Sequence, residues 1–154
     1  MNESLLTIRN RQRARRIDLK LLRRIALDVL AEVGFERCEL SVQLVSASGI
    51  TRLNESFLQH KGPTDVITFS YATPDQRNAL VGDVIVCVDE GVRQGRRFRT
   101  TWQTEATRYV IHGMLHLAGF DDKTAAKRRR MKQRENELLR LVARRFELAR
   151  LSPS

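Results

Sequence analysis

Two histidines stand four residues apart in HGMLHLAGFDD, residues 112–122, and a glycine and two aspartates follow them. On a helix, side chains at i and i+4 stack on one face, so His112 and His116 can aim two ring nitrogens at a single point. Ile111, Met114, Leu115 and Leu117 flank them with apolar side chains, a setting in which an unpartnered imidazole is costly. Gly119 is placed to end the helix in a left-handed turn that doubles the chain back. Asp121 or Asp122 can then supply a third ligand. Two histidines, a carboxylate and an open position form a catalytic zinc set. The plainer reading is a pair of histidines packed on an apolar helix face.

The position after the first histidine decides one question early. In HExxH metallopeptidases a glutamate there is the general base. Here it is Gly113, which takes no proton, so peptidase chemistry of that type loses its base.

The chain has 154 residues, enough for one domain spanning 1–154 with a real core. Its net charge of +10 calls for a polyanionic partner, with nucleic acid first and an anionic membrane surface second. No apolar run approaches the roughly 20 residues that span a bilayer. MNESLLTIRNRQRARR has no apolar segment behind its charges and does not read as a secretory signal. Cys38 and Cys87 lack metal-binding spacing and read as buried, reduced thiols of a cytoplasmic protein. Basic clusters stand at 9–16, 93–99 and 127–134, the last including Arg128, Arg129 and Arg130. They suit a surface that tracks phosphates. Phe98 is the only aromatic among them, so backbone and shape recognition is expected more than base stacking.

The elements that must carry these residues follow from periodicity. Strands are expected at 5–9, 39–46, 66–71 and 82–89, the last with a continuous apolar run from Val84 to Val88 that marks burial on both faces. A helix capped by Asp18 runs to Gly34. A second is capped by Ser48, with Ile50, Leu53 and Phe57 on one face. Further helices are expected near 90–97 and 101–117, and a long basic one at about 124–149, docking on the body through Met131, Leu138, Leu141, Val142 and Phe146. Residues 59–65 and 73–82 read as connections. The order βαβαββααα predicts an α+β fold, with helices packed on a mixed, roughly four-stranded sheet.

Three blocks in order resemble the YbeY family of bacterial metal-dependent endoribonucleases. LNESFLQHKGPTDVITFSY (53–71) resembles its LN…(T)DV(L/I)(S/T)F segment, GDVIVCVD (82–89) its GD(I/V) strand, and HGMLHLAGFDDKT (112–124) its HGxLHLxG(Y/F)xH/D motif. The resemblance covers roughly residues 40–140. It implies a zincin-like arrangement with the metal helix in the interior, and His112, His116 and Asp122 as ligands of one divalent metal, usually zinc. It also implies a cytoplasmic, single-strand-specific endoribonuclease acting on ribosomal RNA, particularly the small-subunit RNA 3′ end, and in ribosome quality control. Ribosomal RNA or the small ribosomal subunit would be its partner, with neither DNA nor membrane involved.

Two positions depart from the family pattern. Many members carry histidine where this chain has Asp122. The carboxylate lowers the formal site charge from +2 to +1 and, as a hard oxygen donor, moves the preference toward Mn²⁺ or Fe²⁺ without excluding Zn²⁺. Many members also carry arginine where this chain has Leu58; His60 and Lys61 are the nearest polar substitutes for RNA contact. The expected chemistry is hydrolysis of an RNA phosphodiester by metal-activated water. No general base is assigned, Asp121 being the nearest candidate in sequence, while Asp65 and Asp83 read as loop-capping residues. Two rivals stand beside this reading. One is a metal-stabilised ribosome-assembly factor that cleaves nothing; the other is an Fe²⁺ oxygenase built on a two-histidine, one-carboxylate triad.

Overall fold

The computed structural model describes residues 5–57, 64–76 and 78–153. Leu58, His60 and Lys61 lie outside these described residues. Four strands, β1 (Leu5–Asn10), β2 (Arg37–Val45), β3 (Val66–Ser70) and β4 (Ala79–Cys87), form one sheet in the order β1-β2-β4-β3. β1, β2 and β4 run parallel, and β3 lies antiparallel on the edge of β4. The helices are α1 (Leu19–Glu32), α2 (Ala47–Phe57), α3 (Val88–Phe98), α4 (Trp102–Leu117) and α5 (Ala125–Arg145), with a short 3-10 turn at Leu148–Leu151. This is the α+β architecture of helices on a mixed four-stranded sheet.

Side chains alternate across the sheet because a strand repeats every two residues. Leu6, Leu40, Val42, Leu44, Leu80, Val84 and Val86 face one way and form a core with α1, α4 and α5. Ile67, Ile85, Val45 and Cys87 face the other way, where Ile50 of α2 joins them as a buried partner. The first face is closed by helices. The second stays largely open.

Helix α4 is seated on the closed face. The Thr101 hydroxyl caps it by accepting from the Thr104 amide at 3.1 Å. Ile111, Met114 and Leu115 are fully buried, each worth roughly 1.5–3 kcal/mol relative to exposure. Gly113 sets the depth of that seating. A Cβ there would stand 2.5 Å from Val84 Cγ1, so the helix sits closer to β4 than any larger residue permits.

Several boundaries differ from expectation. β4 begins at Ala79, not at 82, because Ala79, Leu80 and Val81 pair with Arg37, Cys38 and Glu39 of β2. The Asp89 and Glu90 carboxylates then fall in the first turn of α3, which starts at Val88 and suits anionic side chains. Helix α2 is capped from Ser46, not Ser48: the Gly49 amide donates to Ser46 Oγ at 3.2 Å and the Ala47 amide to Asp89 Oδ2 at 2.7 Å. Helix α5 stops at Arg145, short of 149. Leaving the helix lets Leu148 and Leu151 bury, and the Leu151 carbonyl accepts from the Asp18 amide at 2.9 Å.

Candidate metal and phosphate site

His112 and His116 lie on one face of α4 with ring centroids 4.8 Å apart, edge to face at 75°. Gly119 takes φ +105°, and its turn carries the chain back toward them. Asp122 is exposed and lines, with His112, Tyr109, Asp65 and Glu135, a cavity of about 370 Å³ between α4 and α5. Burial, and next the proximity of His112, hold the His116 pKa below its ordinary value. The ring is therefore neutral near pH 7, as a metal ligand must be.

The residue that organises the cavity is Glu135 of α5. It is 3 % exposed, and its Oε1 lies 2.6 Å from His112 Nδ1. Its Oε2 accepts from Arg108 Nη1 at 2.8 Å and from Lys132 Nζ at 3.1 Å. Burial pushes its pKa up, but the hydrogen bonds from His112 and Arg108 and the charge of Lys132 outweigh burial and hold it at about 2. An ionised carboxylate only accepts hydrogen bonds. Nδ1 of His112 therefore carries a proton toward Glu135, and Nε2 is the ring nitrogen on the side away from that carboxylate.

Sequence reasoning missed Glu135 because it sits in a helix dense in Lys and Arg. The signal was its place in the apolar stripe of Met131, Leu138 and Val142, where a lone acid must have a buried partner. Arg108 was missed for want of that partner, and Lys132 was read only as part of the basic cluster at 127–134. Tyr109 of α4 carries a second feature. Its hydroxyl is buried with no hydrogen-bond partner among the described residues. Burial, then Asp65, raises its pKa, so it stays protonated as a donor.

The other residues singled out from the sequence are placed as follows. Asp121 accepts from the Lys123 amide at 3.0 Å and pairs with Lys127 at 3.5 Å, lining a separate depression with Gly119, Phe120 and Arg130. It acts as a turn residue and does not share the cavity of His112 and Asp122. Arg128, Arg129 and Arg130 are all exposed, but successive helical residues fan out by about 100°. Arg128 faces the cavity, Arg130 the Asp121 depression; Lys132, one turn on from Arg128, returns to the cavity. Asp65 does cap: its Oδ1 accepts from the Val66 amide at 2.8 Å, and it also lines the cavity. Asp83 does not cap a loop. It lies within β4 on the open face and accepts from the Tyr71 hydroxyl at 2.9 Å.

Among the described residues, no three histidine, cysteine or acidic side chains are drawn together closely enough to hold a metal ion. The donors nonetheless suit one. Two imidazoles lie edge to face, one held by a carboxylate at Nδ1, with a further carboxylate at the cavity rim. A glutamate at position 113 has no room, because Val84 fills the space.

The model of the family described as Endoribonuclease YbeY matches residues 7–143. A protein named Endoribonuclease YbeY from Salinibacter ruber is 32% identical over 143 residues, covering 89% of this chain and 91% of its own. One of the same name from Chlorobium luteolum is 35% identical over 139 residues, covering 90% and 98%. Among solved structures, the solution structure of TM1509 from Thermotoga maritima matches with a TM-score of 0.64 at 27% identity, covering 97% of this chain and 98% of that one. The chain belongs to the endoribonuclease YbeY family.

Proposed function

We propose that the protein is a metal-dependent endoribonuclease whose ligands are His112, His116 and Asp122. The observation that carries this reading is the Glu135–His112 pair, which engages Nδ1 with a buried carboxylate on a ring that lies edge to face with His116. Bound there, a divalent ion would supply Lewis acidity toward a phosphoryl oxygen and the attacking water. Zinc is the first candidate, with Mn²⁺ and Fe²⁺ favoured by the Asp122 oxygen.

The chain's own groups have distinct tasks. Arg128 and Lys132, exposed on the cavity side of α5, hold the substrate phosphate. The Tyr109 hydroxyl donates toward a phosphate oxygen entering the cavity, which gives that buried group the partner it otherwise lacks. Asp65 is the cavity carboxylate that neither binds His112 nor belongs to the ligand set, and is placed to take a proton from the attacking water.

The family names and the net charge of +10 support RNA as substrate. Within that class we assign cytoplasmic maturation of ribosomal RNA, at the small-subunit RNA 3′ end, and ribosome quality control. No helix among the described residues is long and apolar enough to cross a membrane. The test is cleavage of single-stranded RNA by wild type and by His116→Ala purified identically. Loss of both metal and cleavage in the variant is expected; cleavage retained at the normal rate overturns the mechanism.

A further inference from the structure

The open face of the sheet carries a second concavity, of about 560 Å³, away from the His112 cavity. Phe57 at the end of α2 and Tyr71 just past β3 border it, and they are 66% and 58% exposed. Two large aromatics left in solvent within one groove are unusual for a surface that packs against nothing. Phe57 meets Phe69 edge to face at 6.1 Å, and the Tyr71 hydroxyl donates to Asp83, so each ring is held while its face stays available. Arg11 and Arg52, both exposed, stand along the same groove. The Arg11 amide donates to the Leu44 carbonyl at 2.8 Å, which extends β1 past its last paired residue and carries this guanidinium over the open face. Gln43 and Asp83 lie on the floor as hydrogen-bonding groups between the rings and the cations.

Exposed aromatics bordering the open face of a four-stranded sheet, flanked by cations, suit unpaired nucleotides, whose bases stack while phosphates meet positive charge. An apolar protein segment would use the rings but not the two arginines. Strand β3 links this groove to the proposed cleavage site. Asp65 at one end lines the His112 cavity, and Phe69 and Tyr71 at the other line the groove. Four to six residues at roughly 3.3 Å each separate them by about 13–20 Å.

We propose that this groove is a single-stranded RNA subsite: a nucleobase stacks on Phe57 and Tyr71, and its flanking phosphates lie against Arg11 and Arg52. The strand then runs along β3 to the His112 cavity. Asp83 and Gln43 meet the edge of the stacked base, Asp83 accepting from an exocyclic amino group. This subsite rests on the reading of the chain as an RNA-cleaving enzyme, and it supplies the base stacking that the basic clusters lack.

The experiment uses the full-length protein carrying His116→Ala, so that binding is read without cleavage. A labelled single-stranded RNA long enough to span both sites is titrated against it, with and without Phe57→Ala plus Tyr71→Ala. Stacking is worth about 1–3 kcal/mol per base, so affinity should fall roughly tenfold or more. Both rings are exposed, so the fold does not depend on them. Arg52→Glu, made separately, should also weaken binding and flatten its salt dependence. Binding of a duplex of the same sequence should be unaffected by the ring variant. Unchanged single-strand affinity in both variants overturns the subsite in favour of a protein-binding face. If wild type cleaves no RNA, the nuclease reading fails, while the affinities still decide the groove.

Discussion

The two faces of the sheet are made from the same four strands, yet they differ in almost every physical respect. On the closed face the inward residues of β2 and β4 are aliphatic apart from Cys38 and Gly82, and Gly113 and Gly82 bring α4 against the strands. On the open face the same strands present Ser41, Gln43 and Asp83, and solvent reaches much of the surface. The closed face stores stability, and its helices hold the histidine pair at their margin. The exposed polar groups of the open face, outside its small buried cluster, can therefore change without unfolding the chain. In the proposed mechanism chemistry depends on rigid packing, whereas substrate reach depends on exposed groups.

Mutations should separate the two faces. The largest effect is expected at Glu135→Ala, which leaves the cationic Arg108 and Lys132 and the His112 ring without their shared carboxylate. A loss of about 3–5 kcal/mol in denaturant unfolding is expected, together with metal affinity weaker by about 10–100-fold by titration. Glu135→Gln should retain more of the fold than Glu135→Ala while still weakening metal. Next comes Gly113→Ala, whose methyl group meets Val84 and should cost roughly 1–3 kcal/mol. A neutral result in thermal unfolding would show that α4 is not seated as tightly as the closed face requires.

Tyr109→Phe sharpens the contrast within the site. It removes a buried hydroxyl that has no partner among the described residues, so stability should stay level or rise slightly. Cleavage should nonetheless fall, by roughly tenfold or more, because a donor to the developing phosphate charge is lost. The smallest effect is expected on the open face, where Asp83→Asn should move stability by no more than about 0.5 kcal/mol. A large destabilisation there would mean that the open face carries structural load and would erase the distinction between the faces.

The histidine pair and the Gly119 turn were legible in the sequence because both follow local rules, helical spacing and a left-handed cap. The buried run of β4 was legible for the same reason. What escaped required knowing which elements meet. Asp83 looked like a cap beside Gly82, but pairing with β3 places it opposite Phe69 and within reach of Tyr71. Asp121 and Asp122 are neighbours in sequence, and only the turn geometry parts them. Glu135 is separated from His112 by 23 residues, and the charge around it masks the apolar stripe it interrupts. Arg128, Arg129 and Arg130 form one cluster in sequence but point to different surfaces once wound on a helix.

His112, His116 and Asp122 are proposed to hold the metal on which cleavage depends. Metal content per chain, measured on protein purified without chelators, tests it most directly when wild type, His116→Ala and Asp122→Ala are compared beside their RNA cleavage. The account predicts stoichiometric divalent metal and cleavage in wild type, neither in His116→Ala, and weakened retention of both in Asp122→Ala. Equal metal content in wild type and His116→Ala, or cleavage by protein stripped of metal, would contradict it.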